Sequence, residues 1–330
     1  ERIYGRSPNS GNTQQDNYYG ERYAYLYQGN YNFNLDNSIV FGLEREDDQM
    51  GLNSNATGRI DSNAYITSQY FDFQSRLTNN IYGTFGARFD EHSLAGGTGS
   101  NEDSHRATLA YVFDDKTTKL KSSYGTGYRF PTLYELKYVY RASAATLPFV
   151  KAETSQSYDF GIEKTINPNL FIDLTYFNVK YFDALEGWKT NTAGGSSSTQ
   201  NTIATVKSQG IELMSKYKLN ELFNFGLNYT YTSSYDGADE DNPSGSDSGS
   251  QMVRVPRNLV NLITNVKIPA YQDLDITLRT KWSDKARDYG NGNKTSDKSP
   301  GFENETLDSY LVNDLSFRYN LNNYNIFFDI

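Results

Sequence analysis

The sequence predicts an all-β protein, in particular a transmembrane antiparallel β-barrel. Many segments alternate polar and apolar residues with a period of two, as strands with one face in lipid do. The connections between these segments are alternately short and long, which is typical of outer-membrane barrels. Aromatic residues are abundant, with 28 tyrosines and 19 phenylalanines, although the mean hydropathy is only -0.71. Tyrosine suits a membrane interface because one end of its ring is apolar and the other is wet.

The composition excludes several other classes of protein. The chain has 330 residues, a formal net charge of -9 and no cysteine. It has no run near the roughly 18 apolar residues that a membrane helix needs, so a helical membrane protein is excluded. Without cysteine, the chain has no disulfide scaffold and no thiolate metal site. The acidic balance argues against nucleic acid as a partner.

Turn and strand signals predict about fourteen strands. They lie at 18–31, 38–46, 63–76, 80–93, 104–114, 118–129, 154–166, 170–186, 201–219, 223–236, 257–268, 274–286, 309–320 and 324–330. The short connections are 32–37, 77–80, 114–118, 167–169, 220–222, 269–273 and 321–323, and the long ones are 47–62, 94–103, 130–153, 187–200, 237–256 and 287–308. We expect the short turns in the periplasm and the long loops outside the cell.

The alternation within single strands fixes which face meets lipid. In 274–282, the residues on one face are Leu274, Ile276, Leu278 and Trp282, and those on the other are Asp275, Thr277, Arg279 and Lys281. Turning Arg279 and Lys281 toward lipid together costs on the order of 4–8 kcal/mol. The segments 311–321 and 224–231 alternate in the same way. Such polar inner faces do not suit a soluble barrel, whose interior is packed with apolar side chains, and they predict a lumen that holds water or a plug.

The expected strand directions place both ends of the chain outside the cell, whereas a complete barrel of this kind has its termini in the periplasm. We therefore expect residues 1–330 to be part of a barrel domain, without its first strands, its last strands and any N-terminal plug.

One stretch, Ser122–Tyr138, changes character along its length. It starts as a strand, passes through Gly125 and Gly127, and reaches Pro131, where a strand ladder should end. The two glycines do not form a nucleotide-binding loop, because the proline prevents the helix that such a loop requires. We interpret the glycines as structural, providing a bend and backbone clearance.

The run GTGYRFPTLYEL (Gly125–Leu136) resembles the TonB-dependent outer-membrane receptors. Members of that family carry a glycine–aromatic–basic–x–Pro–x–Leu run here, which matches Gly127, Arg129, Pro131 and Leu133. Further similar segments are Lys151–Lys164, Leu174–Glu186, Ile203–Leu219, Asn228–Gly237, Val255–Leu262 and Tyr324–Ile330. The similarity is good from about Tyr111 onward and weaker before that. Segment order and loop lengths most resemble the vitamin B12 (cobalamin) receptors, and siderophore receptors share most of these segments.

The resemblance implies a monomeric barrel of about 22 strands in the outer membrane of a Gram-negative cell, with a plugged lumen. It implies import of a small-molecule ligand, cobalamin or a siderophore, with energy from the TonB complex. The TonB complex would act through an N-terminal region that this sequence does not contain. The expected partners are therefore outer-membrane lipid, the TonB complex and the ligand.

Substrate contacts are expected in the extracellular loops, where aromatic and polar side chains occur together. The candidate ligand-binding residues are Tyr138, Tyr140, Arg141, Phe149, Trp188, Arg287 and Tyr289. For each of them, a place in an aromatic girdle or in loop packing is the alternative.

No cofactor is expected, although one acidic loop has the oxygen ligands that calcium prefers. It contains Asp236, Asp239, Glu240 and Asp241, and a weaker acidic group includes Glu44, Glu46, Asp47 and Asp48. Acidic loops are often simply solvated, and the spacing is not that of an EF-hand. His92 and His105 flank the connection 94–103 and are a candidate metal pair, with a solvated rim as the alternative.

The sequence does not predict an enzyme, because neither histidine accompanies a nucleophile motif. Two alternatives to a TonB-dependent transporter stay open. One is a passive porin of about fourteen strands, and the other is a soluble binding module such as a sandwich or a propeller.

Overall fold

The computed structural model describes residues 3–6, 15–54, 58–94, 99–133, 152–183, 189–191, 196–198, 205–237, 251–268, 271–288, 305–321 and 324–330. In this part of the chain nineteen strands form one 15-stranded antiparallel sheet and two small hairpins. None of the described segments forms a helix of the length and apolarity that crossing a membrane requires.

The strands follow one another along the chain and across the sheet. They are β1 (Ile3–Arg6), β2 (Gln15–Asn32), β3 (Asn37–Ser54), β4 (Gly58–Arg76), β5 (Ile81–Leu94), β6 (Ser100–Val112), β7 (Thr118–Arg129), β8 (Glu153–Asn167), β9 (Leu170–Phe182), β10 (Lys189–Asn191), β11 (Ser196–Ser198), β12 (Thr205–Lys218), β13 (Phe223–Gly237), β14 (Asn258–Ile268), β15 (Tyr271–Ser283), β16 (Ala286–Asp288), β17 (Glu305–Leu307), β18 (Tyr310–Leu321) and β19 (Tyr324–Asp329). The large sheet has the order β1 to β9, β12 to β15, β18 and β19, while β10 pairs with β11 and β16 with β17.

All fourteen predicted strands are present, and five further strands are not predicted by the sequence. These five are β1 and the two hairpins β10–β11 and β16–β17. Each has only three or four residues. A run this short cannot establish an alternation of period two, so the sequence pattern does not reveal it.

Two of the predicted long loops are too long, because strands occupy most of 47–62 and half of 94–103. β3 continues to Ser54 and β4 begins at Gly58, while β5 ends at Leu94 and β6 begins at Ser100. The extended part of the sheet is polar and carries ion pairs such as Arg22 Nε to Asp48 Oδ1 at 2.6 Å. A strand that leaves the lipid needs no apolar face, so the sequence there reads as a polar loop.

The register confirms the predicted faces. Arg279 of β15 lies opposite Ile263 of β14 and Asp314 of β18, and its Nη1 donates to Ser316 Oγ at 3.0 Å. Leu278, one residue earlier, turns to the other side of the sheet with its cross-strand partner Leu315. Because cross-strand partners share a face, the whole sheet has one apolar face and one polar face.

The sheet is a single layer with almost no interior core. Its four buried hydrophobic residues among those described are Leu52, Ala64, Ala87 and Ala152. Large side chains on the apolar face are exposed instead, for example Tyr25 at 66% and Phe160 at 55%. Lipid contact gives such side chains the apolar environment that a packed core gives them in a soluble protein.

Asparagine and aspartate side chains close the short turns. Asn220 Oδ1 accepts from the backbone N–H groups of Leu222 and Phe223 at 2.8 and 3.0 Å. Asp115 accepts from the backbone of Thr117 and Thr118 and from Lys164 Nζ at 2.9 Å. The hydrogen bonds from Lys164 and Thr118 hold the pKa of Asp115 well below its usual value. Such side-chain bonds replace a turn's missing backbone partners. We call this side of the sheet the turn end and the opposite side the loop end.

Candidate functional site

At the loop end, the backbone pairing of β7 with β6 ends earlier along the strand than its pairing with β8. Pairing with β6 stops at Gly125, which lies opposite Arg106. The backbone N–H of His105 then donates to Thr126 Oγ1 at 2.8 Å instead of to the backbone of β7. Pairing with β8 continues without interruption to Arg129, opposite Glu153. The strand thus ends just before Pro131, as the sequence predicts.

The two motif glycines lie opposite serines on β8. Ser155 Oγ donates to the carbonyl of Gly127 and Ser157 Oγ to that of Gly125, both at 3.4 Å. A Cβ atom on Gly127 would lie 3.0 Å from Ser155 Oγ, whereas one on Gly125 would be 3.6 Å from Ser157 Oγ. Neither glycine has a positive φ. A side chain at position 127 would therefore require Ser155 Oγ to shift, whereas one at position 125 would make an ordinary contact. The structural role of the whole motif stays a prediction.

The base of the connection after β7 is anchored by rings and charges. Phe130 stacks on the imidazole of His92, with centroids 4.5 Å apart and planes inclined by 22°. The guanidinium of Arg129 forms an ion pair with Glu153. Pro131 and Ala152 are buried on either side of the connection. Within the connection, the structure describes the chain as far as Leu133, which has a helical backbone.

His92 is buried although it can carry a charge. Only 5% of the residue is exposed, and it is the twelfth residue of β5 counted from the turn end, beyond the roughly 9–11 residues that cross a membrane. Burial lowers the pKa of His92, and the negative charge of Asp48 partly opposes this shift. The neutral imidazole is therefore the form that stacks on Phe130.

A second anchored region joins the connections after β13 and β15. Arg287 Nη1 donates to the carbonyl of Gln251 at 2.9 Å, and the backbone N–H of Arg254 donates to the carbonyl of Arg287 at 2.7 Å. Arg254 Nε also forms an ion pair with Asp288 at 2.8 Å. Arg287, one of the predicted ligand-binding residues, is thus part of the support that fixes two loop bases together.

Nearby, Asn258 links the end of the connection after β13 to the start of the connection after β15. Its Nδ2 donates to Asp284 Oδ2 at 2.8 Å, and its Oδ1 accepts from Tyr229 at 2.8 Å. The hydrogen bond from Asn258 lowers the pKa of Asp284, which stays ionised near neutral pH. The loop bases are therefore held by fixed polar contacts.

The polar face carries charges that are paired across strands. Arg88 lies 2.9 Å from Glu44 and 2.9 Å from Asp90, and its Nη2 donates to Ser68 Oγ at 2.7 Å. Its guanidinium also faces the ring of Tyr70 at 5.8 Å. Asp90 and Ser68 are buried. The charges in this part of the polar face are thus paired with one another.

A second network lies on β7, β8 and β9. Lys121 Nζ bridges Asp173 at 2.6 Å and Glu163 at 3.2 Å, and Lys119 is 2.7 Å from Glu163. Ser123 donates to Asp159 two residues further along the same face. These residues alternate with apolar ones in the sequence, so the polar face could be predicted, but the partners could not.

Most of the predicted ligand-binding residues lie outside the described part of the chain. They are Tyr138, Tyr140, Arg141, Phe149, Trp188 and Tyr289. The same holds for the calcium candidates Asp239, Glu240 and Asp241, while the backbone of Asp236 belongs to β13 and pairs with Val206. Their roles stay predictions.

The described residues contain no group of three or more His, Asp or Glu side chains that could hold a metal ion. His92 and His105 are not a pair, since His105 lies opposite Ala87, five residues from His92 along β5. That separation is about 17 Å. His105 instead forms an ion pair with Asp103 at 2.7 Å. In the weaker acidic group, Asp48 forms an ion pair with Arg22.

Sequence reasoning missed the Arg88 network and the role of Gln251. The signal for the first is Arg88-x-Asp90, two opposite charges on one face of a predicted strand. Gln251 gave no signal, because its side chain contacts backbone atoms, including those of residues as far away along the chain as Thr232.

A single-layer antiparallel sheet with an exposed apolar face, an ion-paired polar face, short turns at one end and long connections at the other is the wall of an outer-membrane β-barrel. The chain belongs to the TonB-dependent receptor-like β-barrel family, whose sequence profile matches residues 2–330. No curated protein matches the chain in sequence.

Solved structures have a similar fold. The copper transporter OprC has a TM-score of 0.73 at 13% identity, covering 94% of this chain and 49% of its own. The ferripyoverdine receptor of the Pseudomonas aeruginosa outer membrane has a TM-score of 0.71 at 17% identity, and the match covers 94% of this chain and 44% of that receptor. The ferric yersiniabactin uptake receptor of Yersinia pestis has a TM-score of 0.67 at 17% identity, and the match covers 96% of this chain and 49% of that receptor. The chain thus spans less than half the length of these proteins, and at these identities the likeness shows the fold.

Proposed function

We propose that this chain forms part of the barrel wall of an outer-membrane active transporter. The transporter binds a scarce metal chelate at its loop end. Import of the chelate is driven by energy from the TonB complex. The observation that carries the proposal is the match to the TonB-dependent receptor-like family over residues 2–330. The protein is a transporter and not an enzyme under this proposal.

The structure supports capture at the loop end in one specific way. The bases of three long connections are fixed by the His92–Phe130 stack, the Arg129–Glu153 ion pair and the Arg287–Gln251 hydrogen bond. A binding site on loops requires such support, because loosely held loops lose affinity through their ordering cost. Six of the seven candidate contacts named from the sequence lie within these connections, and the seventh, Trp188, lies in the connection after β9.

A ferric siderophore is the first candidate ligand and cobalamin is the second. Two of the structural neighbours are named as receptors for ferripyoverdine and ferric yersiniabactin, which favours an iron chelate. The segment order of the sequence favours a cobalamin receptor. Both ligands are metal complexes too large for passive entry through a small pore.

Binding by the full-length receptor, purified in detergent, separates the two ligands. A panel of ferric siderophores and cyanocobalamin is titrated at submicromolar concentration, and one of them is expected to saturate the receptor. Binding of cyanocobalamin alone would replace the siderophore proposal. No binding of either would contradict the proposed ligand class.

Uptake in cells tests the energy coupling separately. With labelled ligand, deletion of TonB should abolish accumulation while binding at the cell surface persists. Accumulation that continues without TonB would identify a passive channel and would contradict active transport.

A further inference from the structure

Two lysines face each other directly on the apolar face of the sheet. Lys180 of β9 and Lys207 of β12 are cross-strand partners in an uninterrupted register. Their face is fixed by neighbouring contacts, since Asn178 and Tyr176 both donate to Gln209 Oε1 on the same side. Tyr158 and Tyr176 also have their rings 6.3 Å apart on that side. The lysine pair therefore belongs to the outward, lipid-contacting face.

The pair lies at the level where the lipid headgroups begin. Lys180 is ten residues from the start of β9 at the turn end, about the length of strand that crosses the hydrocarbon. From the turn end toward the pair, the outward rows are Leu174 with Leu213, Tyr176 with Ile211, Asn178 with Gln209, and then Lys180 with Lys207. The rows change from apolar to amide to cationic, as the bilayer itself changes in polarity.

Two arginines on the outward face near the loop end have carboxylate partners. Arg45 is 3.0 Å from Asp47, and Arg59 is 2.7 Å from Asp61. Within the described chain, neither Lys180 nor Lys207 has an ion pair or a side-chain hydrogen bond. Like charges directly opposite each other destabilise a strand pair. An anion held between the two amines would remove this repulsion.

We propose that Lys180 and Lys207 together bind a phosphate group in the headgroup of an outer-leaflet lipid. Two ammonium groups on flexible stems can converge on one phosphate and neutralise its charge. The row continues on both sides with polar side chains, because Gln156 pairs with Lys180 and Tyr235 with Lys207. These add hydrogen-bonding groups beside the phosphate.

The rows beneath the lysines favour a lipid over a soluble anion. Tyr176 and Ile211 are 38% and 43% exposed, and Leu174 is 42% exposed, directly below the pair. An amphiphile satisfies both levels at once, with its phosphate on the amines and its acyl chains on the apolar rows. A free phosphate would leave the apolar rows without a partner.

The test is binding of bis-phosphorylated lipid A to the full-length receptor in detergent, measured by native mass spectrometry. The double variant Lys180→Gln/Lys207→Gln is expected to weaken binding about thirty-fold. Lys180→Arg/Lys207→Arg should bind as the parent does. The matched control is Lys216→Gln/Lys267→Gln, which removes two charges from the polar face and should leave binding unchanged.

Two further arms identify the source of the phosphate. Dephosphorylated lipid A should bind the parent protein as weakly as lipid A binds the Lys180→Gln/Lys207→Gln variant. Inorganic phosphate should not displace lipid A from the parent protein. Undiminished binding by the Gln variant, or by dephosphorylated lipid A, would overturn the proposal, and displacement by inorganic phosphate would indicate a soluble-anion site instead. Heat-modifiable gel migration shows that each variant is folded, and the single variant Lys180→Gln serves if the double variant is not.

Discussion

The imidazole of His92 lies nearly parallel to the ring of Phe130, with their centroids 4.5 Å apart. This contact joins the loop end of β5 to the first residue beyond β7, across the intervening strand β6. It therefore fixes the start of a long connection to a strand that is not its neighbour in the sheet. The contact uses a titratable group, so its strength depends on pH.

Acidification is expected to loosen the start of this connection. Burial lowers the pKa of His92 in the folded protein, so the stabilisation is complete above the unfolded pKa of about 6.5 and is lost as pH falls through the folded pKa. Hydrogen exchange of the amides of Phe130, Thr132 and Leu133, corrected for the intrinsic rate, should show less protection at about pH 5.5 than at about pH 7.5.

The control is His92→Phe, which keeps an aromatic ring against Phe130 but cannot be protonated. Its protection at these amides should not change over the same range of pH. Equal pH dependence in the parent and the variant would show that another group controls the region.

Because Lys121 bridges two carboxylates, removing the lysine should reduce the free energy of unfolding more than removing one of the carboxylates. Lys121→Met leaves the carboxylates of Glu163 and Asp173 near each other without their shared cation. We expect it to lower the free energy of unfolding by about 1–3 kcal/mol, between the values for exposed and buried pairs. Asp173→Asn leaves Lys121 paired with Glu163 and should have a smaller effect.

Urea unfolding of the full-length receptor in detergent measures both effects. Lys218→Gln is the control, since its partner Glu221 is 87% exposed at a turn, and no measurable change is expected. If Lys121→Met is no more destabilising than this control, the network contributes nothing to stability.

The turn between β6 and β7 should respond to acid through Asp115. Its pKa is lowered by hydrogen bonds from Lys164 and Thr118. A lowered folded pKa means that the stabilisation is present above the unfolded value of about 3.9 and is lost as pH falls toward the folded value. Asp115→Asn should therefore unfold with a smaller acid dependence than the parent below about pH 4. Identical acid unfolding curves would contradict this role.

Gly210 is expected to tolerate no side chain. A Cβ atom there would lie 1.9 Å from the carbonyl oxygen of Tyr231 and 2.7 Å from Phe177 Cζ. Since the first contact is with backbone, Gly210→Ala should destabilise the barrel by about 1–3 kcal/mol. At Gly226 the nearest atom, Ile263 Cβ, would be 3.7 Å away, so Gly226→Ala is the matched control.

Urea midpoints and the folded fraction in heat-modifiable gels distinguish these two variants. Equal stability of Gly210→Ala and Gly226→Ala would show that β12 and β13 adjust freely at this point.

Sequence reasoning recovered the sheet because lipid imposes a simple rule. In β15, Leu278 and Arg279 could be assigned to opposite faces from the cost of placing a charge in hydrocarbon, and the register confirms both. The rule fails where the strands leave the lipid. The acidic segment that continues β3 to Ser54 looks like a loop in the sequence, because only its backbone ladder and ion pairs mark it as strand.

The loop end was only partly predictable for a different reason. Pro131 marks the end of a ladder through the chemistry of a single residue, and β7 does end there. The partners of Arg287 and His92 depend on contacts between residues tens of positions apart, and nothing in the local pattern selects them. Arg287 could be named as a loop residue from its position, but its hydrogen bond to the carbonyl of Gln251 could not.

The assignment of the two faces can be tested most directly with spin labels in the full-length receptor, reconstituted in bilayers. This chain has no cysteine, and single cysteines are introduced at Leu278, Thr277, Leu227 and Asn228 after any cysteine elsewhere in the receptor has been replaced by serine. Labels at Leu278 and Leu227 should be readily accessible to oxygen dissolved in lipid, and those at Thr277 and Asn228 should not. Equal oxygen accessibility at neighbouring positions, or the reverse order, would contradict a barrel wall with its apolar face in the membrane.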